Sequence, residues 1–227
     1  MKNLWKVTFK NTVLSVALLL TSSVFSSYGA GKSAKVIPGQ RIEELDDMDF
    51  IELLHSVDVE NTSDLIQKFQ SKEGKSRLLN GKYPPGGECT VEAYRNKEVL
   101  LITIPAKLLF EPNMTDLNPH ASDYLTPIKR YLKDPDMYRV ILVMHTDNTG
   151  SEEYREQITK ERVEAVFDWF DASGADTSYL YSFALSDDMP LFPNNSVDNR
   201  SKNRRLEIYL VPGSKMVEQA KTGRIAF

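Results

Sequence analysis

Arg162 breaks the pattern of the segment that carries it. Tyr154, Ile158, Ala165, Val166, Trp169 and Phe170 fall at the spacing of an amphipathic helix, and Arg162 lies on the same stripe, four residues after Ile158. The spacing therefore points a guanidinium toward the interior side of that helix. A charge in such a place marks either a functional site or a buried ion pair. Asp147, just past the apolar run Val140-Ile141-Leu142-Val143-Met144, is its natural partner or neighbour. A carboxylate and a guanidinium held close together are two halves of a receptor for a zwitterion: the carboxylate accepts hydrogen bonds from an ammonium, and the guanidinium forks onto a carboxylate. Backbone amides of residues 148–151 add donors where they lead into a helix N-terminus. From these residues alone, an amino-acid-like ligand and a structural salt bridge both stay open.

Other chemistries lack their residues. The 227-residue chain has one Cys and three His (His55, His120 and His145), too few and too scattered for a zinc site or an iron–sulfur cluster. No Ser or Cys sits in a nucleophile motif, and His145 has no second His beside it, so neither catalysis, a metal nor a cofactor is expected. Cys89, being alone, reads as a small buried apolar residue, with an intermolecular disulfide as the alternative.

The elements that must position Asp147 and Arg162 follow from the hydrophobic pattern. Lys2, Lys6 and Lys10, an apolar run over 13–20 and a small polar stretch to Ala30 have the layout of a secretory signal peptide, with the stretch to Phe25 as a poor uncleaved anchor otherwise. Residues 31–87 read as a small helical module: Ile42, Leu45, Met48, Phe50, Leu53 and Leu54 suggest one amphipathic helix, and Ser63 could cap a second carrying Leu65, Ile66 and Phe69. From residue 88 the pattern changes to strands. A hairpin turning at Arg95-Asn96-Lys97 leads into a run, 98–104, apolar on both faces and therefore central. Two strand-plus-helix units follow, the first helix (Leu117 to Leu132) interrupted by Pro127, with later strands over 140–144, 179–185 and 206–211. The fold expected is an α+β or α/β two-layer sandwich, helices on one mixed sheet, over residues 88–212, with a tail over 213–227 that has no clear pattern.

The chain carries 28 Lys+Arg against 32 Asp+Glu. Removing residues 1–30 takes away three Lys and no acid and leaves a charge of −7. An exported acidic protein is a poor nucleic-acid binder, so Arg200, Lys202 and Asn203-Arg204-Arg205 read either as a solvated edge or as a buttress of the site.

His145-Thr146-Asp147-Asn148-Thr149-Gly150, then Arg162 twelve residues after Gly150, then Asn203-Arg204-Arg205 before the last strand, resemble the OmpA-like peptidoglycan-binding domain, also found in flagellar motor stator proteins. The resemblance implies the C-terminal-domain type of that family, without a β-barrel. It also implies non-covalent binding of peptidoglycan through the diaminopimelate residue of the stem peptide, with Asp147 and Arg162 holding its amino and carboxylate groups. Asn113, fourth in Phe110-Glu111-Pro112-Asn113, would line the pocket with Thr146 and Arg204. The location implied is the periplasm or the periplasmic face of the outer membrane, with envelope proteins as further partners and no nucleic acid. The alternative is an adaptor whose helical module docks an envelope partner. Two departures stand out: Arg155 occupies a place usually held by Asn, and Ile158-Thr159-Lys160-Glu161-Arg162-Val163 replaces the usual L-S-x-x-R-A.

Overall fold

Alternating and continuous apolar runs dictate the strands. The computed structural model describes residues 62–73 and 88–227. In it, helix α1 (Ser63–Lys72) precedes a five-stranded sheet of β1 (Thr90–Tyr94), β2 (Val99–Pro105), β3 (Tyr138–His145), β4 (Leu180–Ala184) and β5 (Arg205–Pro212). The helices after β2 are α2 (Ala121–Leu125), α3 (Glu152–Ala172), α4 (Val197–Asn203) and α5 (Ser214–Lys221). The leader, the helix expected around residues 42–54 and the loop at 83–87 lie outside the described residues.

The sheet order is β1-β2-β5-β3-β4. Every neighbouring pair is antiparallel except β3 and β4, which run parallel with α3 as the crossover between them. The hairpin turn between β1 and β2 sits at Arg95, Asn96 and Lys97, all three with positive φ. This is the mixed sheet with helices that the sequence pattern predicts. Pro127 has the expected effect: after Leu125 the chain tightens into a 3-10 helix, Thr126–Leu132.

Residues of the strands alternate between two apolar clusters. Val140, Leu142 and Met144 join Leu206, Ile208 and Leu210 on the face covered by Val163, Val166, Phe167 and Phe170 of α3. Ile141, Val143, Tyr209 and Val211 belong to the opposite face, with Tyr181 and Phe183. The buried stripe of α3 is rotated from the one the sequence suggests. Ile158, Val166 and Phe170 are buried as expected, Thr159, Val163 and Phe167 are buried beside them, and Tyr154 is 42% exposed.

Both flanks of the domain are tied to this core. Ile66 of α1 is buried in it, and Gln70 Nε2 donates to the carbonyls of Glu98 (2.8 Å) and Leu210 (3.3 Å). The stretch after Pro212, patternless in sequence, forms α5 and buries Met216, Val217 and Ala220. Phe227 then lies 5.9 Å from the Tyr131 ring and 5.1 Å from that of Tyr138, with the Arg130 guanidinium 4.5 Å above it.

Candidate functional site

β3 is buried along nearly all its length and delivers the polar loop that follows it at its carboxyl end. The Thr146 N–H donates to the Ser186 carbonyl at 2.8 Å, which fixes where the loop leaves the sheet. Asp147 then turns the chain upon itself, its Oδ1 accepting the Thr149 N–H at 2.7 Å in an Asx turn. Gly150 has φ +89°, and a Cβ there would lie 2.8 Å from the Tyr154 ring, so only glycine suits this corner. Ser151 caps α3 by accepting the Tyr154 N–H at 3.2 Å.

Arg162 is drawn inward, as its place on the helix requires. It is 6% exposed, its Nε donates to the Met114 carbonyl at 2.9 Å, its Nη2 reaches the Glu111 carbonyl at 3.4 Å, and its guanidinium lies 4.9 Å from the Phe110 ring centroid. None of these partners carries a negative charge. Among the described residues no carboxylate pairs with Arg162. Burial lowers its pKa from the usual value; the Tyr154 phenol opposes this, and the positive charge of Arg204 adds to it.

Asp147 has a different partner from the one the sequence suggested first. Its Oδ2 pairs with Nη1 of Arg204, at the junction of α4 and β5. Arg162 thus lines the same cleft as Asp147 without being its ion-pair partner: Arg162 is engaged by backbone carbonyls and an aromatic face, while Arg204 pairs with the carboxylate. Asp147 is 2% exposed. Burial pushes its carboxyl up, but the bonds from Thr149 and Arg204 outweigh this and hold it below the usual carboxylate range.

Asp147, Arg162, Thr146, Asn113 and Arg204 all line one cleft of about 380 Å³. Lys107, Phe110, Thr149 and Tyr154 line it too; the sequence places Phe110 and Thr149 in motifs and Tyr154 on the apolar stripe, but none of the four among the candidate site residues. Asn113 has φ +59° and its Oδ1 accepts the Tyr154 hydroxyl at 3.2 Å, so a loop and a helix meet across the rim. Phe110 and Tyr154 give no local signal of this. Their roles arise from contacts with residues 52 and 41 positions away.

The floor behind the cleft is a buried polar network. Glu207 receives the Arg205 Nε at 2.7 Å and the Tyr209 hydroxyl at 2.7 Å, and lies 3.2 Å from His145 Nε2. Burial would raise the Glu207 carboxyl, but His145, Arg205 and Tyr209 hold it well below the usual range. Burial lowers the His145 pKa by more than Glu207 raises it, and its Nδ1 is buried with no partner. Arg205 and Asn203 are thus buttresses, at 2% and 0% exposure, while Lys202 is an exposed cation paired with Asp198. Cys89 is buried, and burial, helped by Glu88, pushes its thiol up to about 12. No helix among the described residues is long and apolar enough to cross a membrane.

Comparison with known proteins bears on this geometry. Residues 109–204, which include all five candidate residues, match the model of the OmpA family. The chain is 36% identical over 107 residues to an outer-membrane lipoprotein, YfiB, of Pseudomonas aeruginosa, covering 47% of this chain and 63% of that one. It is 26% identical over 130 residues to the peptidoglycan-binding protein ArfA of Mycobacterium tuberculosis, covering 57% of this chain and 40% of that one. It thus spans less than two thirds of the length of either relative. In structure it resembles a MotB-like protein of Desulfovibrio vulgaris, with TM-score 0.58 and 23% identity over 66% of this chain and 95% of that one. A type VI secretion cell-wall anchor of Pseudomonas aeruginosa gives TM-score 0.52 and 23% identity over 60% and 96% of the two chains. Those two likenesses concern the fold. What the comparisons share is the region of the cleft: the match to the OmpA family model runs over residues 109–204.

Proposed function

We propose that this domain binds peptidoglycan non-covalently, by seating the diaminopimelate residue of the stem peptide in the cleft between Asp147 and Arg162. The observation that carries the reading is that Arg162 is buried with no carboxylate partner among the described residues. A buried guanidinium with no protein carboxylate is costly unless an anion completes it. A carboxylate of the ligand supplies that anion, and Asp147, ionised and close by, accepts the ammonium on the same carbon. Phe110 holds the guanidinium plane and Thr146 and Asn113 add polar contacts. Arg204 keeps Asp147 ionised and shares it with the ammonium. The function is binding and not catalysis. The family match and the relative named for peptidoglycan binding support it, and the outer-membrane lipoprotein among the relatives supports a place at the periplasmic face of the outer membrane.

Sedimentation with purified sacculi tests this directly. The wild-type chain is expected to pellet, and Asp147→Ala and Arg162→Ala to stay mostly in the supernatant, because each leaves one charge of the ligand unpaired. Equal pelleting of all three removes the cleft from the function.

A further inference from the structure

The first turn of α3 carries another arginine, one that does not line the cleft. Arg155 Nη1 donates to the Gly150 carbonyl at 2.6 Å, and its Nε donates to Asp187 Oδ1 at 2.9 Å. Asp187 also lies 3.4 Å from the hydroxyl of Ser186, the residue whose carbonyl receives the Thr146 N–H. The loop that presents Asp147 is therefore held at one end by Ser186 and at the other by Arg155 of α3, which is itself tied to the residue after Ser186. Ser186 takes hold of its start at Thr146, and Arg155, braced on Asp187, takes hold of its end at Gly150. Between those two anchors stands the Asx turn from Thr149 to Asp147. The segment carrying Ser186 and Asp187 is itself tied to β3, since the Leu185 N–H donates to the Met144 carbonyl at 3.0 Å.

We propose that Arg155, with Asp187, is a positioning residue for ligand binding: it fixes the Gly150 end of the loop so that the Asp147 carboxylate is already aimed when the ligand arrives. This rests on the reading of the cleft given above. A loop ordered only on binding loses affinity to its own ordering entropy, and one held beforehand does not. The arginine fork is needed for this, because it reaches a carbonyl and a carboxylate at once. A lysine ammonium is a point charge on a flexible stem and cannot hold both in the same geometry. The brace is partly exposed, so it adds little to global stability.

The test uses the full chain with Arg155→Ala, Arg155→Lys, Asp187→Asn and the double variant Arg155→Ala/Asp187→Asn. Three quantities are measured: exchange of the Thr149 amide hydrogen, Kd for meso-diaminopimelate by calorimetry, and Tm. Arg155→Ala is expected to speed Thr149 exchange and to weaken binding about tenfold, the effect of about 1.4 kcal/mol, with Tm close to that of the wild type. Arg155→Lys recovers part of the affinity, and the double variant is no worse than Arg155→Ala because both remove one brace. Unchanged Thr149 exchange overturns the proposal, as does faster exchange throughout the sheet with a fallen Tm, which would mark a merely structural pair. A wild-type chain that does not bind diaminopimelate sinks the ligand assignment alone. The Thr149 amide still decides whether Arg155 holds the loop.

Discussion

A lysine in place of Arg162 would keep the charge and lose the rest. The Nε bond to Met114, the reach of Nη2 to Glu111 and the contact with the Phe110 face all depend on one planar guanidinium. Arg162→Lys is therefore expected to weaken diaminopimelate binding by at least about tenfold while leaving the fold intact, measured by calorimetry beside a far-ultraviolet circular dichroism spectrum. The Asp147 carboxyl, held below its ordinary value, sets the acid limit of the site. Its charge is present above about pH 4, the ordinary carboxylate range, and is lost only as pH falls through the depressed value. Binding that stays level from pH 7 to 5 is the result expected. Arg162 was legible in the sequence because a charge on an apolar stripe violates a period. The pairing of Asp147 with Arg204 was not, because 57 residues separate them and only the sheet brings them together.

The β3–β5 ladder carries a titratable network that acts on stability. His145 faces Arg205 and Val143 faces Glu207 across it. His145 has a lowered pKa in the folded state, so the unfolded chain binds its proton first. Stability is full above the unfolded value of about 6.5 and falls as pH drops below it. The depressed Glu207 acts in the same direction at lower pH, its contribution being lost only as pH falls through its folded pKa. A Tm that falls between pH 7 and 5 in the wild type and stays flatter over that window in His145→Gln is expected. A second prediction concerns the exit from β5. A Cβ on Gly213 would lie 2.1 Å from the backbone carbonyl of Asp136, and backbone cannot swing aside as a side chain can. Gly213→Ala should cost about 1–3 kcal/mol in denaturant unfolding. The strands were readable because β2, β3 and β5 are apolar runs. Helix α5 was not, since Met216, Val217 and Ala220 are too few and too close to Pro212 and Gly213 to make a period.

At the scale of the whole molecule, the charge is unfavourable for general attraction to an anionic wall, with 28 basic against 32 acidic residues. Recognition must then be local. Raising salt from 0.1 to 1 M shrinks the screening length from about 10 to about 3 Å, which dims surface charges far more than buried ones. Pelleting with sacculi should survive that change largely intact, and collapse at 1 M salt would point to a diffuse surface interaction instead. The layers and the mixed sheet were foreseeable from element order, but the strand order was not, because β5 pairs with segments far from it in sequence. It lies between β2 and β3, and no other strand links the β1–β2 hairpin to the β3–β4 pair. The last strand of the sheet is therefore its keystone. Without it, the two halves have no shared ladder, and Arg204, just before it in sequence, is not held against the Asp147 loop. The cleft thus depends on a strand that follows every residue lining it, and a chain cut short before residue 205 is expected to be incapable of holding a ligand however well its earlier strands are made.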